Sequence, residues 1–278
     1  MTENLTALAE SVEAEFMFQY EASAPEPVRT ALGITARRIG GGVSLAMRAD
    51  PSGGYWCKSL GIGLTEPVTA PLIGEIVDFH REHGSPMATL QIAPEALPAD
   101  WDEIRAAYGI AEGGCWVKLA APVEDVTPGR TDLRVGPVGP ADAREWATLI
   151  CDTFGMSDEW LSRMVAATVE HPHFRPFAAW DGDEIVAGAN LYLHGEVASL
   201  NSGATRPDHR GRGAQSALLA ARARAAAEAG CRWLVGETGR PAEGASNSSL
   251  NNMLRFGLRP RYDRRNWIWR PESDPTTA

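Results

Sequence analysis

Two sets of landmarks recur along this chain at nearly the same spacing, and they restrict the fold more than any composition figure does. Glu82 to Gly84 closes a helix-like run and is answered by Glu228 to Gly230, while Tyr108-Gly109-Ile110 is answered by Phe256-Gly257-Leu258, with a Trp-bearing strand signal after each. From Gly84 to Gly230 the step is 146 residues, and from Gly109 to Gly257 it is 148. So steady a step within a chain of 278 residues predicts two copies of one supersecondary unit.

The element pattern agrees. In the first half, strand signals near 43–49, 55–63, 87–93 and 115–121 alternate with helical runs near 70–84 and 100–109. In the second half, strand signals near 133–139, 174–180, 184–193, 197–205, 232–238 and 266–270 surround helical runs near 141–154, 157–171, 214–229 and 247–257. This predicts an α/β fold with a mixed sheet in two tandem domains. Ala121 to Asp132, rich in proline and charge and poor in apolar pattern, is the expected linker between a domain over 1–125 and another over 131–272.

Composition narrows the function class. The net charge of −10 argues against general nucleic-acid binding and favours cationic small molecules or basic peptides as partners. Cys57, Cys115, Cys151 and Cys231 are scattered without metal-ligand spacing and read as reduced thiols. The N-terminal run is acidic and lacks the pattern of a signal peptide, and the long Ala-rich run 214–229 is broken by Arg222, Arg224 and Glu228. A cytoplasmic protein without metal or membrane contact, monomeric or homodimeric, is expected.

Chemistry concentrates at Thr205 to Gly230, where a strand passes through a basic glycine turn into the Ala-rich helix. A helix N-terminus gathers unpaired N–H groups and roughly half a positive charge, so such a turn cradles an anion, phosphate first of all. Gly211 and Gly213 allow close backbone approach, and Arg210 and Arg212 add positive charge. A nucleotide P-loop would need Lys and Ser or Thr where Ala214 and Gln215 stand, and a dinucleotide fingerprint would need glycine where Ser216 stands.

The run Arg210-Gly211-Arg212-Gly213-Ala214-Gln215, preceded by "ATRPDH" and followed by "SALL", resembles the acyl-CoA signature [Q/R]-x-x-G-x-[G/A] of the Gcn5-related N-acetyltransferases, the GNAT family. Gln215 departs from it, putting a long side chain where the family has Gly or Ala. The resemblance runs from about Thr131 to Pro271 and implies direct transfer of acetyl from acetyl-CoA to a primary amine of a small molecule or peptide. At the equivalent turn of the first half, "GIGLTEPVTAP" carries no such signature, which implies a degenerate N-terminal copy.

Carried over residue by residue, the resemblance implies that Gly203, Ala204 and Thr205 meet the pantetheine arm, with a backbone N–H there as oxyanion donor. It also implies that Arg210 to Ser216 hold the pyrophosphate. Asn247 is expected to touch the cofactor or a nearby water, to cap the helix that follows it, or both. The family's proton-donating Tyr is replaced by Met253, which leaves a water, Ser246 or Ser249 to protonate the thiolate. Glu237 is the expected general base, ahead of Glu196, and His209 is expected at the mouth of the cradle. Two other readings stay open: a CoA-binding protein without turnover, and a nucleotide or nucleic-acid module using Arg255, Arg259, Arg261, Arg264, Arg265 and Arg270 with Tyr262, Trp267 and Trp269. For those arginines the plainer expectation is a solvated β-arm with its tryptophans in the core.

Overall fold

In the computed structural model, residues 4–127 and 129–271 are described; Pro128 of the expected linker and Glu272, the expected end of the second domain, lie outside them. The chain opens with α1 (Leu5–Ala22), capped by the Asn4 side chain, which accepts from Ala7 N at 3.2 Å. Then come α2 (Glu26–Leu32), β1 (Ile34–Ile39), β2 (Gly42–Met47), β3 (Lys58–Ile62), α3 (Ala70–Glu82), β4 (Ala88–Ile92), α4 (Trp101–Ala107) and β5 (Ala111–Pro122). The second half runs β6 (Arg134–Pro137), α5 (Ala143–Thr153), α6 (Glu159–Ala167), β7 (Phe174–Asp181), β8 (Glu184–His194), β9 (Val197–Thr205), α7 (Ala214–Glu228), β10 (Trp233–Gly239), α8 (Ser248–Phe256) and β11 (Arg259–Trp269).

The repeated glycines end equivalent helices. Gly84 and Gly230 follow α3 and α7 at φ +68° and +81°, and Gly109 and Gly257 follow α4 and α8 at φ +64° and +121°. Only glycine enters that backbone region without strain, so the punctuation marks helix ends in both halves.

All strands join one mixed sheet of 11, in the order β1-β2-β3-β4-β11-β5-β10-β9-β8-β7-β6. Its centre is an exchange: β11, the last strand of the second half, lies between β4 and β5, and β5, the last strand of the first, lies between β10 and β11. The expected linker therefore begins too early, since Ala121 and Pro122 still pair with Leu234 and Trp233. On one face, α1, α2, α5 and α6 bury a single core that runs across both halves, from Leu5 and Phe16 to Trp146, Leu161 and Phe174. Among the described residues the opposite side carries separate cores, one under α3 and α4, one under α7 and α8, and a smaller one where the start of α7 meets β7 and β8.

α1 is an element that hydrophobic periodicity did not announce. Its buried face holds Ala9, Val12, Phe16, Met17 and Tyr20, but also Glu10, Glu13 and Glu21. Three buried carboxyl groups hide the apolar stripe from a reading based on water-avoiding residues.

Candidate active site

The parallel strands β9 and β10 pair from Val197 with Trp233 to Leu200 with Gly236, and then part. Beyond that point β10 stays on β5 while β9 continues alone on that side through Asn201 to Thr205. Against β8, the register slips between Gly188 and Asn190, so Ser202 and Gly203 bulge; Ser202 takes φ +54°. That strained backbone is held by a buried network. The Ser202 hydroxyl lies 3.0 Å from the Tyr20 hydroxyl of α1, which accepts from Asn190 Nδ2 at 2.9 Å. Arg222, buried within α7, donates to the carbonyls of Asn190 and Asn201 at 2.9 and 3.2 Å, and burial pushes its pKa down to about 9.

At the far end of the splay α7 begins. Gly213 is its N-cap at φ +79°, with no side chain capping it, so the N–H groups of Ala214, Gln215 and Ser216 have no acceptor within the helix. A cavity of about 580 Å³ opens there, and Gly203, Ala204, Thr205, His209, Arg210 and Gly211 are among the residues that line it, with Gln215, Ser216 and Arg255. Not one of its lining residues is Asp or Glu, in a protein of net charge −10. An anion is what this wall is built to receive.

The first half has no counterpart. There β3 and β4 remain paired to their ends, Ile62 with Ile92, and the α3 N-terminus is closed by Thr69, whose hydroxyl accepts from Leu72 N, and by a proline in the first turn. The splay and the open helix end, the two features that make the cradle, are both absent from these residues.

Two residues expected at the cofactor have side chains engaged by the scaffold. The Arg212 guanidinium lies outside the cavity, bound at 2.5 Å to both Asp181 and Asp132, so it fastens the turn to β7 and to the segment before β6. Asn247 spends its whole amide on structure: it caps α8 by accepting from Ser249 and Leu250 N–H, and it donates to Thr238 and to the Gly239 carbonyl. Ser246 is exposed and lines none of the three cavities of the site, whereas Ser249 lies between the cradle and the cavity beyond it.

That second cavity, about 210 Å³, follows the splay inward and contains Glu237, Met253, Ser199 and Gly236 in its wall. Glu237 is tied into a buried ionic cluster that joins both halves. Its carboxylate accepts from Lys118 Nζ of β5 at 2.8 Å and from Arg264 of β11 at 2.6 Å; Lys118 also pairs with Glu13, and Arg264 with Glu10 and Glu13 at 2.5 and 2.7 Å. Three carboxylates face two cations. Burial, and then the charge of Glu13, raise the Glu237 pKa, while Arg264 and Lys118 overcome burial and hold Glu13 well below the usual carboxylate range. The carboxylate in excess is thus Glu237, which lines the second cavity together with Glu13 and Lys118.

The arginine run is dispersed. Arg264 is completely buried in the cluster, Arg265 pairs with Glu112, and Trp267 and Trp269 belong to the core under α3 and α4. Tyr262 donates to Glu10 at 2.5 Å. Glu196 lies on the surface in an ion pair with Arg232.

A third cavity, about 460 Å³, lies beyond the second and shares Asn201, Ser202, Phe16, Tyr55 and Trp116 with it. Phe154, at the end of α5, borders all three. Of the residues around this third space only Cys151 was named from sequence, as a reduced thiol and not as part of a site.

Residues 143–245 match the model of the acetyltransferase (GNAT) family, the stretch that carries the splay, the turn and α7. The chain carries a GNAT domain. Solved structures extend the likeness of fold to the whole length. A GCN5-related N-acetyltransferase from Kribbella flavida superposes with a TM-score of 0.64 at 15% identity, over 95% of this chain and 96% of that one. A tandem GNAT protein from the clavulanic acid biosynthesis pathway gives 0.58 at 14% identity over 95% and 96%, and a GCN5-related N-acetyltransferase from Sphaerobacter thermophilus 0.58 at 17% over 88% and 78%. No curated protein matches the chain in sequence. Among the described residues no helix is long and apolar enough to cross a membrane, and no group of three or more His, Cys, Asp or Glu could hold a metal ion.

Proposed function

We propose that the GNAT domain, over about 131–272, binds acetyl-CoA and transfers its acetyl group to a primary amine, and that residues 1–125 are a degenerate copy that closes the acceptor side. The observation that carries this reading is the carboxylate-free cradle at the uncapped N-terminus of α7 in an otherwise acidic protein. Backbone N–H groups of Gly211 to Ser216 hold the pyrophosphate, with the Arg210 side chain beside them. Bound acetyl-CoA supplies the activated acetyl: the amine nitrogen bonds to the thioester carbonyl carbon, the C–S bond breaks, and CoA leaves as a thiol with a proton.

The chain contributes position and protons. A backbone N–H at Gly203 to Thr205, just past the bulge, is the oxyanion donor in this reading. Glu237 takes the proton from the amine, and Ser249 stands where a hydroxyl can return one to the thiolate.

Calorimetric titration with acetyl-CoA tests the cradle, and Gly211→Asp is the variant of choice. At Gly213 an added Cβ would come within 2.1 Å of the Arg130 carbonyl oxygen, so any side chain there disturbs the fold; at Gly211 no atom lies within 4 Å but φ is +83°, so Gly211→Ala serves as the control for backbone strain. Wild type is expected to bind and Gly211→Asp to lose at least about tenfold in affinity, from a carboxylate facing phosphate. Failure of the wild type to bind would remove the transferase reading, and binding without thiol release from any amine would leave a CoA-binding protein instead.

A further inference from the structure

We infer that the acceptor is a primary amine carried on an aromatic body, held in the third cavity with its nitrogen at Asn201 and Ser202. The inference rests on the acetyl-transfer reading above and names its substrate class. Net charge alone pointed to cationic small molecules or basic peptides, yet none of the 16 residues lining this cavity is charged. Its wall is aromatic, from Phe16, Tyr20, Tyr55, Trp56, Trp116 and Phe154. Among the described residues, Tyr55 and Phe154 are the large hydrophobic side chains left exposed, at 38% and 50%, and both stand on this cavity. Two exposed aromatic rings on one concave site mark a binding surface, and about 460 Å³ falls within the range of small-molecule sites.

The wall is built in advance. Asp50 accepts from the backbone N–H of Ser52, Gly54 and Trp56 at 2.8, 3.1 and 2.9 Å and from the Ser52 hydroxyl at 2.5 Å, which locks the loop that presents Tyr55 and Trp56. Lys58 Nζ lies 4.0 Å from the Tyr55 ring centroid and 5.5 Å from that of Trp116. An ammonium already uses these rings, so the cavity suits an uncharged ring better than a second cation.

The amine end has a different place to go. Asn201 and Ser202 line both this cavity and the one that holds Glu237, so a ring in the outer space puts a short aminoalkyl arm at the splay. There the nitrogen lone pair forms the C–N bond to the acetyl carbon, the C–S bond breaks to CoA thiolate, one amine proton passes to Glu237 and the thiolate takes one from Ser249 or water. The first half supplies Phe16, Tyr20, Tyr55, Trp56 and Trp116 to this wall; a copy without a cradle thus has a specificity role.

Thiol release with saturating acetyl-CoA tests this, with 2-phenylethylamine and tryptamine against spermidine and kanamycin. The aromatic amines are expected to give kcat/KM at least about tenfold higher, the worth of burying one ring. Tyr55→Ala is expected to raise their KM about tenfold while the acetyl-CoA Kd stays within about twofold; Phe154→Ala, on the exposed rim, is the second variant if the first fails to fold. Direct occupancy is read without acetyl-CoA, as 2-phenylethylamine-induced quenching of tryptophan fluorescence whose midpoint Tyr55→Ala moves about tenfold higher. Turnover of spermidine or kanamycin with no binding or turnover of the aromatic amines would overturn the inference and leave acetyl transfer standing. An absence of acetyl-CoA binding would remove the transferase reading and the acceptor role with it, whatever the fluorescence shows.

Discussion

Glu237 is the residue where local sequence and tertiary surroundings have to be read together. Its place at the end of a core strand made it a candidate base, but its chemistry is set by Glu13, Lys118 and Arg264, which lie far from it in the chain. Because its pKa is raised, Glu237 is protonated over a range where an ordinary glutamate is already ionised, and activity should fall as pH drops through that raised value. The acid limb of the kcat profile, read at saturating amine, is therefore expected above the usual value of about 4.3. Glu237→Gln keeps the shape and loses the base: kcat is expected to fall by roughly 10² or more and the limb to vanish, with acetyl-CoA affinity retained. Unchanged kcat would mean that water takes the proton. Ser249 and Met253 were legible in sequence as the two residues around a missing Tyr, since both are local to α8; Arg222 was not, because an arginine in an Ala-rich helix reads as solvated until the carbonyls of Asn190 and Asn201 are seen to face it.

At the scale of elements, α1 and α7 show opposite kinds of legibility. The turn into α7 was readable because helix ends follow local rules, a glycine for each positive φ and no cap where an anion belongs. α1 was not, because Glu10 and Glu13 are buried only by virtue of Arg264 and Lys118 arriving from β11 and β5. Glu13 accepts from both Lys118 and Arg264, so its loss leaves two buried cations short of acceptors, and Glu13→Gln is expected to destabilise by about 3 kcal/mol and lower Tm by on the order of 6 °C. Its folded pKa lies below the unfolded one, so this stability is fully present above the ordinary glutamate range and is lost as pH falls through the lower folded value. The gap between wild type and Glu13→Gln in chemical denaturation should accordingly be constant near neutrality and narrow in acid. A gap independent of pH down to strong acid would assign the loss to packing instead.

For the whole molecule, the reciprocal insertion of β5 and β11 makes each half complete the other's sheet. Expressed apart, 1–125 would leave β4 and β5 without the strand between them, and 131–271 would leave β10 and β11 without theirs; both are expected to be unfolded or aggregated by circular dichroism and sedimentation. The intact chain should unfold in one transition by heat and by denaturant, despite its length, because the core on the α1 face runs through both halves. Two separated transitions, or a second half that folds and binds acetyl-CoA alone, would contradict this. The duplicated punctuation was visible in sequence, and with it the two-part α/β plan. What the sequence by itself determined is whatever local rules govern: helix ends at Gly84, Gly109, Gly230 and Gly257, and the basic turn at 210–213 that leads into a helix. Only the tertiary structure decided which strands interleave, that Arg212 and Asn247 serve the scaffold, and that an aromatic wall from the first half faces the splay, because each depends on contacts between residues far apart in the chain, and periodicity carries no record of those.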